Sequence, residues 1–123
     1  MLLEILNIWR IFNEENVRYI TIGGLAVNIY GYVRNTGDID ILIEDSVENR
    51  LNLRAAFKKI GLGDFPQIET MQFVAGYTDF TISYDLRLDV MTSIKGLENV
   101  KFDELHQKAT IVYLQKTPVY FID

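Results

Sequence analysis

Asp38, Asp40 and Asp89 are the residues of this chain whose type and spacing best suit catalysis. Side chains at positions i and i+2 of a strand point to the same face of a sheet, so Asp38 and Asp40 are expected to share one face. Ile39 and Ile41 alternate with them and point to the opposite face, where a core can cover them. Asp89 also lies between two apolar residues. A neighbouring strand would therefore bring its carboxylate to the first two.

Three carboxylates on neighbouring strands provide the oxygen ligands that Mg²⁺ or Mn²⁺ prefers. Asp-x-Asp alone is commonly a solvated strand face, and Arg87 could neutralise a nearby exposed acid such as Asp89. However, buried unpaired acids are costly, and two like charges this close repel unless a cation lies between them. The order and spacing of all three aspartates thus favour a divalent metal site.

The segment before Asp38 offers candidate contacts to phosphate. Gly23 and Gly24 follow a short β-prone run, and glycine lets a phosphate approach backbone N–H groups closely, although the pair also fits an ordinary strand-to-helix turn. Arg34 could neutralise phosphate charge with its fork of donors, or form an ion pair with a nearby acid. Thr36 could bond a phosphate oxygen, but its place in a turn favours a role in shaping that turn. Together with the acids, these residues predict a site for a nucleoside triphosphate.

Composition excludes several other classes of function. The 123 residues, 49% of them hydrophobic, predict one domain with a single core. The net charge of −5, with 12 scattered Lys and Arg, argues against duplex DNA as a partner. The absence of cysteine excludes disulfides and Cys-ligated zinc, and the single histidine, His106, is interpreted as a surface residue. The amphipathic N-terminus does not resemble a signal peptide and no run is long enough to span a membrane, so we expect a cytoplasmic protein.

Alternating helices and strands must position these residues, which predicts an α/β (α+β) domain. The predicted helices are residues 2–13, 25–32 and 102–109, together with one that is capped by Asp45-Ser46, contains the apolar residues from Leu51 to Ile60, and ends at Gly61. The predicted strands are residues 19–22, 38–44, 80–84, 87–91, 111–114 and 119–122, the last two pairs being antiparallel. Residues 63–67 are predicted to form a loop. Four aromatic residues near the third strand are interpreted as packing residues: Phe73, Tyr77, Phe80 and Tyr84.

A family resemblance rests on residues between Gly23 and Val90. They are Gly23-Gly24-Leu25-Ala26, Gly31, Arg34, Thr36, Asp38-Ile39-Asp40-Ile41 and Leu88-Asp89-Val90. This pattern resembles the nucleotidyltransferases of the DNA polymerase β-like superfamily. It is similar in particular to a small prokaryotic branch that includes the type IV abortive-infection toxin and the lincosamide nucleotidyltransferases.

The resemblance implies a nucleotidyltransferase fold, a mixed β-sheet flanked by helices with the two acidic strands adjacent. It implies that Asp38, Asp40 and Asp89 are catalytic and bind Mg²⁺ or Mn²⁺, and that Gly23 and Gly24 contact a nucleoside triphosphate such as ATP. Residues 1–123 are then expected to be a single domain that lacks the C-terminal helical extension of many relatives.

The function that follows is transfer of a nucleoside monophosphate to a hydroxyl of a protein, a tRNA end or a small molecule, with release of pyrophosphate. The alternative is a non-catalytic member of a toxin–antitoxin pair that binds nucleotide or a cognate partner protein.

Overall fold

The computed structural model describes residues 2–22, 37–83 and 86–122. Within these ranges the chain forms three α-helices, six strands and one short 3-10 helix. The helices are α1 (Leu2–Glu14), α2 (Val47–Ile60) and α3 (Phe102–Lys108), and the 3-10 helix is Pro66–Glu69. The strands are β1 (Tyr19–Ile22), β2 (Gly37–Ile43), β3 (Asp79–Ser83), β4 (Leu86–Met91), β5 (Thr110–Leu114) and β6 (Thr117–Phe121). The predicted mixture of helices and strands is therefore confirmed.

The six strands form one mixed sheet in the order β3-β4-β2-β1-β6-β5. Strands β2 and β4 are parallel neighbours, as are β1 and β6, and the remaining pairs are antiparallel. The predicted antiparallel pairing of β3 with β4 and of β5 with β6 is confirmed. The adjacency of the two acidic strands, β2 and β4, is confirmed as well.

Helices α1 and α2 cover one face of this sheet. In α1 the fully buried residues recur at helical spacing, Ile5, Ile8, Trp9 and Phe12. The strands contribute alternate residues to the same core, namely Ile39, Ile41 and Ile43 from β2 and Leu86, Leu88 and Val90 from β4. All six of these strand residues are at most 1% exposed. Because alternate residues point to opposite faces, this burial turns Asp38, Asp40 and Asp89 to the other face.

Local signals set the limits of α2. The Ser46 hydroxyl accepts a hydrogen bond from Asn49 N at 3.1 Å, which caps the first turn of the helix. Gly61 ends the helix with a φ of 103°, a left-handed conformation that favours glycine. The predicted loop over residues 63–67 is wrong in part, because Pro66 begins the 3-10 helix. Its fixed φ suits a first helical position, and Ile68 is buried one turn later.

The second face of the sheet is covered over only part of the described strands. Ile20, Leu42 and Met91 form a small apolar cluster there, against which Phe102 and Leu105 of α3 pack. Leu42 and Met91 are register partners, two residues along from the pair of Asp40 and Asp89. The predicted helix 25–32 lies outside the described residues. The apolar contacts of α3 therefore extend to the pair Leu42 and Met91, which lies next to the pair Asp40 and Asp89 on the same face of the sheet.

Candidate functional site: an acid face on the parallel strands

Asp40 and Asp89 are direct register partners on the parallel strands β2 and β4. Neighbouring strands lie about 4.8 Å apart, and side chains in register share one face, so the two carboxylates are adjacent. Asp38 lies on the same face, two residues before Asp40, beside Arg87 of β4. The sheet thus brings together the three aspartates that the sequence singles out.

A fourth aspartate on this face was not predicted from the sequence. Asp79, the first residue of β3, is the register partner of Asp89, so a row of acids runs Asp79, Asp89, Asp40 across three strands. Arg87 Nη1 lies 3.3 Å from Asp79 Oδ2 in an exposed ion pair. The sequence left open that Arg87 neutralises a nearby exposed acid, and that acid is Asp79, while Arg87 lies in the row of side chains next to Asp89. We name the surface of Asp38, Asp40, Asp79 and Asp89 the acid face.

The two oxygens of Asp89 have different surroundings. Oδ2 accepts a hydrogen bond from the backbone N–H of Gly76 at 2.9 Å. Oδ1 is buried and has no hydrogen-bond partner among the described residues. A buried carboxylate oxygen without a donor is costly, since the group loses water without replacement. A hydrogen-bond donor or a bound cation at this oxygen would remove that cost.

Both central acids have raised pKa values. Burial raises the pKa of Asp40 above its usual value, and the charges of Asp89 and Asp38 add to the effect. Burial likewise raises the pKa of Asp89, where the Gly76 N–H acts in the opposite direction and the charges of Asp79 and Asp38 raise it further. The charges of neighbouring aspartates therefore make both Asp40 and Asp89 harder to ionise, and a bound cation would act in the opposite direction.

The acid face has the chemistry for a hard divalent cation, because carboxylate oxygens are the donors that Mg²⁺ and Mn²⁺ prefer and the chain has no cysteine. The unpartnered Oδ1 of Asp89 fits such a ligand. Over residues 2–22, 37–83 and 86–122, however, no group of three or more His, Cys, Asp or Glu side chains is arranged to hold a metal ion. Mg²⁺ commonly binds through one or two carboxylates together with substrate phosphates. The described donors fit that incomplete kind of site.

The predicted phosphate-binding residues Gly23, Gly24, Arg34 and Thr36 lie outside the described residues. Their roles stay predictions. Strand β1 ends at Ile22, which is the register partner of Asp40, and Gly23 is the next residue of the chain. The chain therefore leaves the described part of β1 beside the acid face.

A second polar region lies at the other end of β2, around a pocket of about 490 Å³. We name it the Arg18 pocket. The guanidinium of Arg18 bonds Glu44 Oε2 at 2.5 Å and Asp103 Oδ1 at 2.8 Å. The buried Asn49 accepts a hydrogen bond from Arg18 N and donates to the carbonyls of Arg18 and Glu44. Its polar groups largely satisfy one another, which is the pattern of a structural network.

His106 lines this pocket and is half-buried, which is more enclosed than a fully exposed surface position. Its ring stacks between Phe102 and Tyr120, with centroids 5.5 and 4.7 Å away. Burial lowers the pKa of His106 and the charge of Arg18 lowers it further, against the opposing effect of Asp103 and Glu44. Phe102 lies four residues before His106 in α3, a spacing that makes two helical side chains neighbours, whereas Tyr120 comes from β6 and could not be identified from the sequence.

The aromatic residues before β4 also differ from the prediction. Phe73 and Phe80 pack against the main core, as expected. Tyr77 instead is 85% exposed, in the turn whose Gly76 N–H bonds Asp89. Tyr84 lies outside the described residues. The assignment to packing is thus correct for Phe73 and Phe80, which contact the core, and wrong for Tyr77, which lies in an exposed turn.

Comparison of the chain with protein-family models, with curated proteins and with solved structures finds no match. Among the helices of the described ranges, none has the length and apolar character needed to cross a membrane. The acid face and the sequence pattern around it therefore carry the functional argument.

Proposed function

We propose that this protein is a nucleotidyltransferase that uses Mg²⁺ or Mn²⁺, with a nucleotidyltransferase fold. The proposal rests on one observation above the others: the sheet places Asp40 directly beside Asp89, and an oxygen of Asp89 is buried without a partner among the described residues. The Gly-Gly and Asp-x-Asp sequence pattern supports the same reading. Asp38, Asp40 and Asp89 are the proposed metal ligands.

The reaction is the transfer of a nucleoside monophosphate from a nucleoside triphosphate. An acceptor hydroxyl oxygen forms a bond to the α-phosphorus, the bond from that phosphorus to the bridging oxygen breaks, and pyrophosphate leaves with the electron pair. The metal ions supply charge neutralisation for the triphosphate and a lowered pKa for the acceptor hydroxyl. Asp89 would accept the hydroxyl proton, because it lies beside Asp40 at the centre of the acid face.

The remaining parts of the site belong to the sequence prediction. Gly23 and Gly24 would admit the triphosphate to the backbone, and Arg34 would neutralise phosphate charge. Thr36 would shape the turn before β2 or bond a phosphate oxygen. The acceptor is a protein hydroxyl, a tRNA end or a small molecule, and the net charge of −5 disfavours duplex DNA.

The direct test is incubation of the purified chain with each α-labelled nucleoside triphosphate, Mg²⁺ or Mn²⁺, and a cell lysate. We expect one nucleotide to label an acceptor, and the variants Asp40→Asn and Asp89→Asn to lose the label. Glu48→Gln is a suitable control, because Glu48 is exposed in the first turn of α2, and that helix covers the opposite face of the sheet. Labelling that persists in both aspartate variants would exclude this active site.

A binding measurement tests nucleotide recognition separately from transfer. Mg²⁺ with a nucleoside triphosphate should raise the melting temperature, because a ligand that binds only the folded state stabilises it. Gly24→Val should abolish the shift by blocking the approach of the phosphates. If the melting temperature of Gly24→Val rises with nucleotide as much as that of the parent, the glycine pair only forms a turn and does not contact phosphate.

A non-catalytic, nucleotide- or partner-binding member of a toxin–antitoxin pair is the second candidate. Two observations favour it: Gly76 already occupies one oxygen of Asp89, and the described residues alone do not assemble three metal ligands. A nucleotide-dependent rise in melting temperature without any labelled acceptor would support this candidate. Co-purification with a protein encoded beside this chain would do the same.

A further inference from the structure

A short turn before β3 is fastened by a buried threonine. Tyr77 N and Thr78 N donate hydrogen bonds to Val74 O at 2.9 and 3.1 Å, which closes the turn. The Thr78 hydroxyl accepts a hydrogen bond from Val74 N at 2.8 Å, and Thr78 is 8% exposed. Gly76 has a φ of 81°, a conformation that L side chains rarely adopt. We name residues 74–78 the Thr78 turn.

The Thr78 turn is fastened to β4 at two adjacent residues. Val90 N donates to Thr78 O at 2.9 Å, which holds the backbone of the turn against the strand. Gly76 N donates to Asp89 Oδ2, also at 2.9 Å. One carboxylate oxygen is thus held by a rigid backbone donor while the other, Oδ1, has no partner among the described residues. The turn therefore selects which oxygen of Asp89 is available.

We propose that the Thr78 turn is the positioning element of Asp89: the Thr78 hydroxyl fixes the turn, and Gly76 N–H holds Oδ2 so that Oδ1 faces the divalent cation. The consequence for catalysis rests on the proposed function, whereas the orientation of Asp89 is independent of it. Partners of this kind around metal ligands affect metal affinity or activity by about 10- to 100-fold. Thr78 and Gly76 are positioning residues because the effect proposed for each is exerted through Asp89.

Thr78→Val tests the proposal, since it removes the hydroxyl and keeps a branched side chain of similar shape. Thr78→Ser restores the hydroxyl. Thr21→Val is the matched control, because Thr21 is also buried in the sheet but its hydroxyl has no partner among the described residues and lies on the core face. The three variants separate loss of this hydroxyl from loss of any buried threonine.

The first measurement uses the protein without metal. Three-bond NMR couplings of Asp89 should report a single χ1 rotamer in the parent, Thr78→Ser and Thr21→Val, and averaged rotamers in Thr78→Val. The chemical shift of the Gly76 amide should also differ between the parent and Asp89→Asn. This comparison does not require any Thr78 variant to fold. Averaged couplings in the parent, or a Gly76 signal indifferent to Asp89→Asn, would overturn the proposal.

The second measurement is Mn²⁺ binding in the presence of a nucleoside triphosphate, followed by electron paramagnetic resonance. We expect about tenfold weaker Mn²⁺ binding and a lower kcat with unchanged KM for the nucleotide in Thr78→Val, both restored in Thr78→Ser. A Thr78→Val protein that is less stable but binds Mn²⁺ like the parent would show that the turn is only structural. If the parent binds no Mn²⁺, the proposed function fails, while the NMR couplings still decide the orientation of Asp89.

Discussion

The two ends of β2 carry acidic side chains in opposite circumstances. At the end of the strand, in the Arg18 pocket, Glu44 bonds the Arg18 guanidinium and the Ser46 hydroxyl. At its start, on the acid face, Asp38 and Asp40 make no ion pair with any residue in the described ranges, and Asp40 has Asp89 beside it. The nearest arginine, Arg87, pairs with Asp79.

This difference separates acids that are paired with a cationic side chain from acids that lie beside other acids. The chain has cations available to pair with its carboxylates, as Arg54 does with Asp64 and Glu69. Adjacent like charges without a cation cost free energy, so their arrangement on the acid face requires another explanation. Binding of a divalent cation supplies one.

The largest expected effect is on transfer activity. Asp40→Asn or Asp89→Asn should lower kcat at least about 100-fold, because even partners outside the ligand set affect activity by 10- to 100-fold. Glu44→Gln, in the Arg18 pocket, should leave kcat within a few-fold of the parent. Steady-state kinetics with the labelled nucleotide measure both. An equal loss of kcat in Glu44→Gln and in the two aspartate variants would mean that the two ends of β2 do not differ in function.

The next effect is on stability, and it belongs to the Arg18 pocket. Arg18→Met should lower the free energy of unfolding by about 1–3 kcal/mol, because Glu44 is left partly buried without its charged partner. Part of the aliphatic packing against Phe102 is retained by methionine. Urea denaturation at pH 7 measures the loss. A double variant with Glu44→Gln should lose less than the sum of the two single losses, and strict additivity would contradict a coupled pair.

A divalent cation should give a smaller effect, confined to the acid face. Mg²⁺ at ten times its dissociation constant stabilises a folded protein by about 1.4 kcal/mol if it does not bind the unfolded chain. We expect such a rise for the parent and for Arg18→Met, and none for Asp40→Asn. Thermal melts with and without Mg²⁺ measure it. Equal stabilisation of Asp40→Asn would place the cation elsewhere.

The structural features that local sequence patterns determine could be predicted from the sequence. The acid–isoleucine alternation of residues 38–41 correctly placed Ile39 and Ile41 in the core, since strand geometry fixes opposite faces. The Ser46 cap and the Gly61 end of α2 followed from side-chain chemistry and backbone conformation. The adjacency of β2 and β4 came from the family resemblance, and the register confirms it.

Features that depend on contacts between distant segments could not be predicted. Asp79 joins the acid face only because of the register between β3 and β4. The hydrogen bond from Gly76 to Asp89 spans 13 residues and depends on the conformation of a turn. The Arg18 pocket combines residues just before β1 and just after β2 with residues of α2, α3 and β6, so no spacing in the sequence indicated that Arg18 pairs with both Glu44 and Asp103.

The smallest expected effect is the dependence of stability on pH at the acid face. Without metal, Asp40→Asn should be as stable as the parent or more stable by at most about 1 kcal/mol at pH 7, since solvent screens this partly exposed group. Asp38→Asn should behave similarly, because it removes a charge from the same face. Urea denaturation of the parent and both variants between pH 4 and pH 7 measures the differences.

The sign of the pH dependence follows from the raised pKa of Asp40. Between the pKa of the unfolded chain, about 4, and the higher pKa of the folded state, the folded protein binds more protons. The free energy of unfolding contributed by Asp40 therefore falls as pH rises through this window, and the full cost is present above it. The advantage of Asp40→Asn should consequently be largest at pH 7 and disappear towards pH 4. An Asp40→Asn protein that is clearly less stable than the parent at pH 7 would show that this carboxylate has a structural partner, as Glu44 does at the other end of the strand.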